Sequence, residues 1–172
     1  MRFKPLVLSI VLVCLAAVAL PGLARCAESD ATQGERIGYP VLGSAKLDKL
    51  LKEQGKNKVV IVSFFASWCP PCRKEIPQLV HLRSKVAEGD MLILGVSADE
   101  DMEELSKFLV RAKINFPIYL GTDDLFIKHE VSSIPKMVIY NSKGEVFQVV
   151  EGLLPEATFN GMIDYLLGNA YE

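Results

Sequence analysis

Cysteine, histidine and tryptophan are all scarce here: the 172-residue chain carries four, two and one of them. Cys14 lies inside an N-terminal apolar run and Cys26 just beyond it, which leaves Cys69 and Cys72 for a folded domain. A single C-x-x-C with no further pair excludes a disulfide-stapled scaffold. It also excludes a structural zinc site, which would need two more ligands. His81 and His129 stand alone, follow no ligand spacing and read as solvated surface residues. There is no Gly-rich phosphate loop, internal repeat or low-complexity tract. The 19 basic residues are dispersed over a chain of net charge −2, with no basic stripe interleaved with aromatics, so nucleic acid is not an expected partner.

Apolar residues are abundant, at 50% of the chain, enough to bury one good core in a single domain. Arg2 and Lys4 precede an apolar run over residues 6–20, closed by Pro21 and Gly22. That run falls short of the roughly 20 residues a membrane span needs and suits a signal peptide. Gly22 and Ala24 place small residues at the −3 and −1 positions of a cleavage site before Arg25, so residues 1–24 read as a signal peptide. Cleavage after Cys26 or Ala27, and retention as an uncleaved anchor, are the alternatives. Arg25 stands where a lipobox needs a small residue, which argues against lipid attachment at Cys26. The chain is expected to be exported, to the periplasm or another extracytoplasmic space.

Residues 25–43 read as a loose leading segment, because Gly34, Gly38, Pro40 and Gly43 discourage regular structure. The domain is expected over residues 44–172. Ser44 reads as the N-cap of a helix to residue 54, with Leu47, Leu50 and Leu51 as its buried stripe and Gly55 as its end. Val59 to Phe65 has the continuous apolar character of a central strand covered on both faces. A helix then runs to about residue 87, facing Ile76, Leu79, Val80, Leu82 and Val86 inward, and Met91 to Ser97 forms a second central strand. Residues 99–113 read as an amphipathic helix, acidic at its start and basic at its end, followed by a short strand at 116–120 and a short helix at 124–129. Residues 136–140 and 146–150 pair as an antiparallel hairpin, and a helix over 155–167 packs Phe159, Ile163, Leu166 and Leu167 on the sheet. The pattern is that of an α/β sandwich.

Chemistry concentrates where the first central strand meets its helix, at Trp68-Cys69-Pro70-Pro71-Cys72-Arg73-Lys74-Glu75. Pro70 and Pro71 suit a helix start, since proline fixes φ near the helical value and its missing N–H would be an orphan there. Cys69 is thereby placed at the positive end of a helix, where N–H dipoles favour a thiolate. Cys72 lies one turn on, close enough to close a disulfide. Cys69 reads as the more exposed, attacking thiol, with a pKa below the usual value of about 8.5, and Cys72 as the resolving thiol. An inert structural disulfide is the alternative, although so tight a loop contributes little stability. Trp68 reads either as an aromatic lid over the site or as a packing residue. Pro77 sits inside the helix at a cost of about 3 kcal/mol, either as a kink that aims the Cys69 end outward or as a proline tolerated by packing. No Thr or Pro precedes Cys69 at the spacing of a peroxidatic cysteine.

The Trp68-Cys69-Pro70-Pro71-Cys72 motif after an apolar strand resembles the thioredoxin superfamily, and within it the exported TlpA/ResA-like reductases associated with cytochrome c maturation. Pro77 matches that fold's kink proline, Ile134-Pro135 its cis-proline and Lys143-Gly144 its following hairpin turn, and the resemblance covers about residues 44–168. It implies a thioredoxin fold, a three-layer α/β/α sandwich with a central mixed sheet and a helix-plus-strand insertion at about 101–124. It further implies a cis bond before Pro135 and a docking edge at Ile134, whose backbone pairs with an extended substrate segment beside the cysteines. Glu75 falls where the ResA-like reductases carry a glutamate near the pair. A carboxylate there disfavours a second negative charge on the sulfurs and can exchange a proton with them. The other reading of Glu75 is an exposed glutamate paired with a lysine. Two positions depart from the pattern: Ser63 stands where thioredoxin keeps a buried aspartate, and Lys136 follows the cis-proline where a small hydroxyl residue is usual.

These readings converge on an exported, monomeric thiol–disulfide oxidoreductase, a reductase rather than an oxidase, acting on protein thiols and disulfides. The resemblance implies apocytochrome c as substrate and a membrane reductant relay as electron source. The Cys69–Cys72 pair is the one expected redox group, with no bound cofactor or metal. A general exported disulfide reductase or isomerase partner is the second enzyme reading. A Cu(I) metallochaperone is the reading of another class; soft thiolates suit copper, but no Met or His stands ready as a third ligand.

Overall fold

A computed structural model describes residues 38–168. The signal-peptide segment, its cleavage site, Cys14 and Cys26 lie outside the described residues. In chain order the elements are β1 (Val41–Leu42), α1 (Ser44–Glu53), β2 (Val59–Phe65), α2 (Cys72–Lys85), β3 (Met91–Ser97), α3 (Met102–Ala112), β4 (Ile118–Gly121), α4 (Asp123–Lys128), β5 (Lys136–Tyr140), β6 (Val146–Glu151) and α5 (Glu156–Leu166). One sheet runs β1-β4-β3-β2-β5-β6, parallel from β1 through β2 and antiparallel for β5 and β6.

The alternation of β2 explains its sequence. Val59, Ile61 and Phe65 face one cluster with Ile76 and Leu79 of α2, Leu105 and Phe108 of α3, and Phe159 and Ile163 of α5. Val60, Val62 and Phe64 face the other, with Leu47 and Leu50 of α1 and Leu125 of α4. Both faces are covered, so the strand is apolar at nearly every position. Burying each such side chain stabilises the fold by about 1.5–3 kcal/mol. This is the expected three-layer sandwich on a mixed sheet, with α3 and β4 as the expected insertion. Gly95, in the middle of β3, permits the layers to close: a Cβ there would meet Ile118 Cδ1 at 2.5 Å and ring atoms of Phe116 and Phe65 at 3.2 Å.

Three local expectations are corrected. Residues 25–43 are not wholly loose, because Val41 and Leu42 pair with Leu120 and Gly121 as β1. Two residues carry no alternation to read; β4 supplies the order, with Leu120 N–H donating to Pro40 O at 3.0 Å and Thr122 N–H to Leu42 O at 3.2 Å. Helix α1 is capped by Gly43 rather than Ser44. The Ser44 N–H donates to Asp124 Oδ2 at 2.9 Å, a partner 80 residues away on α4. Helix α3 begins at Met102, not 99, because Asp101 Oδ1 accepts the Glu103 and Glu104 N–H groups at 3.0 and 3.1 Å. Among the described residues, no helix is long and apolar enough to cross a membrane.

Candidate active site

The turn from β2 into α2 closes on itself, with Cys69 N–H donating to Ala66 O at 3.2 Å. Cys69 and Cys72 are joined as a disulfide with their Cα atoms 5.3 Å apart. Pro71 is the helix N-cap with φ of −69° and Pro70 lies in the exposed turn, so α2 starts at Cys72 and Cys69 stands just outside it. The helix end still reaches the sulfur: Cys72 N–H donates to Cys69 Sγ at 3.3 Å. Cys69 is 3% exposed and Cys72 fully buried, so Cys69 is the more accessible of the two by a small margin. Both cysteines belong to the apolar cluster that holds Ala66 and Ile76.

The Ile134-Pro135 bond is cis, as expected. Ile134 O lies 3.6 Å from Cys69 Sγ. A disulfide sulfur carries no proton, so this is a contact; a reduced Cys69 thiol could donate to that carbonyl. Trp68 is 64% exposed, which removes the packing alternative and leaves it on the surface beside Cys69. Pro77 faces solvent inside α2, where it offers no N–H to Arg73 O.

Glu75 points from α2 into the sheet and is 1% exposed, so the exposed-glutamate reading is corrected. Its Oε1 accepts a hydrogen bond from Ser63 Oγ at 2.7 Å, while its buried Oε2 has no partner among the described residues. Burial pushes the carboxyl up from 4.5 to about 7, the Ser63 hydrogen bond opposing the rise. Ser63 lies on the α2 face of β2, in the row of Ile61 and Phe65. Reading it as a lost aspartate missed its role as the donor that meets an acid supplied by α2. The period-2 alternation of β2 was the signal that could have found it.

A second polar group was missed altogether. Asp99, just past the end of β3, accepts the Ser67 N–H at 2.9 Å and the Ser67 and Ser97 hydroxyls at 2.5 and 2.7 Å. From the other side, Arg73 Nε donates to Ser67 O at 2.6 Å. An acidic residue two positions beyond a buried strand, read as helix rather than strand end, was the overlooked signal.

Lys136 is buried on the α1/α4 side of the sheet, its Nζ donating to Glu130 O at 2.8 Å and pairing with Glu151 Oε1 at 3.1 Å. His81 is exposed as expected, but His129 is half-buried with its ring 5.4 Å from that of Phe64, and burial lowers its pKa. The aromatic contact, not solvent, accounts for its placement. Among the described residues, no group of three or more His, Cys, Asp or Glu is arranged to hold a metal ion.

Comparison with known proteins agrees with this geometry. The thiol-disulfide oxidoreductase ResA of Bacillus subtilis is 25% identical over 158 residues, 91% of this chain and 87% of the relative. ResA of Bacillus thuringiensis is 30% identical over 112 residues, 64% of this chain and 63% of that one. Among solved structures, a thioredoxin family thiol:disulfide interchange protein from Chlorobium tepidum superposes with a TM-score of 0.61 at 28% identity, covering 66% of this chain and 82% of that chain. StoA from Bacillus subtilis superposes at 0.52 and 25% identity, covering 60% and 81%. The model of the AhpC/TSA family matches residues 43–148, a span that runs from the start of α1 through the cysteine turn and the cis-proline into β6. Relatives and fold agree on the exchange that the Cys69–Cys72 disulfide makes possible, and the chain belongs to the AhpC/TSA family as a thiol–disulfide oxidoreductase.

Proposed function

We propose that this enzyme is an exported reductase that delivers electrons through Cys69 and Cys72 to the haem-site cysteines of apocytochrome c. Glu75 is the observation that carries the reading: a buried acid with a pKa of about 7 lies three residues along α2 from Cys72, in place of an acid on β2. Export rests on the charge and apolar pattern of residues 1–24.

In the reduced enzyme the Cys69 thiolate, stabilised by the Cys72 N–H, attacks one sulfur of a substrate disulfide. A Cys69–substrate bond forms as the substrate disulfide breaks, and the other substrate sulfur leaves as a thiolate that takes up a proton. Cys72 then attacks Cys69 Sγ, expelling the second substrate thiolate and closing the Cys69–Cys72 disulfide. Two electrons have passed to the substrate. Near neutral pH Glu75 is partly ionised, so it can accept the Cys72 proton in the second step and return it when a membrane reductant relay restores the dithiol. An extended substrate segment docks on the Ile134 backbone beside Pro135, with Trp68 flanking it.

The test uses Cys72→Ser with two disulfide probes, insulin and an oxidised apocytochrome c peptide containing its haem-site cysteines. The reading expects a trapped adduct through Cys69, no adduct with Cys69→Ser, and faster reaction with the peptide. Equal rates for both probes would establish a general disulfide reductase instead. Adducts recovered equally from both serine variants would overturn the roles of the two cysteines.

A further inference from the structure

We infer that Asp99 is a positioning residue for disulfide exchange, clamping Ser67 so that Trp68 and Cys69 are presented from a fixed turn. The inference rests on Cys69 being the attacking thiol. Ser67 is buried, and all three of its polar groups are engaged. Its N–H and O–H go to Asp99, at 2.9 and 2.5 Å, and its C=O accepts from Arg73 Nε at 2.6 Å. The next residue, Trp68, is exposed, and the one after it is Cys69. The clamp therefore anchors the loop two residues before the reacting sulfur.

Asp99 is itself 4% exposed, and three donors converge on its two oxygens: Ser67 N–H, Ser67 O–H and Ser97 O–H. Its own N–H donates back to Ser97 Oγ at 2.9 Å, so the side chain is fixed to the end of β3. The ends of β2 and β3 are also joined, with Ala98 N–H donating to Phe65 O at 2.8 Å. The sheet thereby holds the acid, the acid holds Ser67, and Ser67 sets the start of the cysteine turn. No other described side chain accepts the buried Ser67 N–H, and leaving such a donor unpaired is costly. Among the described residues, Asp99 makes its hydrogen bonds to Ser67 and Ser97 and to neither sulfur. It acts on the exchange through the turn, by keeping Cys69 Sγ within reach of the Cys72 N–H that favours its thiolate.

A clamp and a nearby charge predict opposite signs. If Asp99 acted on Cys69 only as a negative charge, neutralising it would favour the thiolate and move Cys69 alkylation to lower pH. If it acts as a clamp, loosening the turn weakens the Cys72 N–H contact and moves alkylation to higher pH. Arg73, Lys74 and Glu75 on α2 and Glu100 beside Asp99 are the other charged groups at this turn, and Lys74 and Glu100 are exposed and unchanged in every variant. Glu75 is unchanged in every variant used, and Arg73 changes only to another cation.

The experiment compares wild type with Asp99→Asn, Asp99→Ala and Arg73→Lys, each reduced and each in a Cys14→Ser, Cys26→Ser, Cys72→Ser background so that Cys69 alone is alkylated by iodoacetamide. Trp68 is the single tryptophan, so time-resolved fluorescence anisotropy reports only this turn. Asp99→Asn is expected to speed the anisotropy decay of Trp68 and raise the alkylation midpoint by about half a unit, roughly a threefold loss of rate at fixed pH below it. Arg73→Lys, which keeps the charge but loses the Nε donor, should change both readings in the same direction. Should Asp99→Ala fail to fold, Asp99→Asn still carries the test, since it retains one acceptor oxygen. A fall in melting temperature with unchanged anisotropy and a superimposable alkylation curve would overturn the inference, as would a shift to lower pH. Loss of adduct trapping by Cys72→Ser alone would count against the role of Cys69 while leaving the anisotropy result to judge the clamp.

Discussion

Ser63 Oγ and Glu75 Oε1 lie 2.7 Å apart, joining the middle of β2 to the first turn of α2, and the second oxygen of Glu75 has no partner among the described residues. The acid is thus half satisfied in a buried site, which is why its pKa rises to about 7. In the oxidised protein Cys69 and Cys72 do not titrate, so this acid can be followed through stability. The folded state keeps a proton on Glu75 that the unfolded chain releases from about pH 4.5 upward. Stability contributed by this group is therefore full below pH 4.5, falls as pH rises toward 7 and levels off above it. A shift of this size corresponds to about 3 kcal/mol. Denaturant unfolding of the oxidised protein from pH 4 to pH 8 should show the fall in wild type and lose it in Glu75→Gln. His129, with a lowered pKa, contributes the opposite slope, but equally to both proteins, so the difference curve belongs to Glu75.

Ser63→Ala removes the hydrogen bond that opposes the rise. The Glu75 midpoint should then move above 7, which carbon-13 NMR of its side-chain carboxyl would read directly. An unchanged midpoint would mean that burial alone sets the acid's behaviour.

In the reduced protein, Glu75 and the thiolates near it should each raise the other's apparent pKa. Glu75→Gln keeps the shape and removes the charge, so the cysteine alkylation curve should move to lower pH. A movement of one unit corresponds to about 1.4 kcal/mol of coupling. Superimposable curves would remove Glu75 from the exchange.

These residues also mark how far the sequence could be read. Val59 to Phe65 was legible because a strand covered on both faces must be apolar throughout, and the Trp68 to Cys72 motif because its chemistry is local. Glu75 could be singled out by position, but its burial depends on facing Ser63 across two elements. The Asp124 partner of the α1 start lies 80 residues away, and β1 is too short to show a period. In the sequence Asp99 reads as the start of α3. A helix begins where its first N–H groups find an acceptor, and here Asp101 supplies it. The parts that escaped were contacts between distant segments.

Gly95→Ala should destabilise the fold by about 1–3 kcal/mol through overpacking, because its Cβ would meet Ile118 Cδ1 at 2.5 Å. The backbone-entropy gain from replacing a strand glycine is about 0.5–1 kcal/mol, so the clash decides the sign. Chemical denaturation of the two proteins measures the difference, and equal or greater stability in the variant would show that β4 can move aside.

The reduction potential of the Cys69–Cys72 couple tests the central claim most directly, because it sets the direction in which electrons run. Equilibration of the protein with graded ratios of oxidised to reduced dithiothreitol, read by alkylation of the free thiols, gives the value. As a reductase the protein should stand at about −270 mV or lower. A potential near about −120 mV would make it an oxidant and contradict the account.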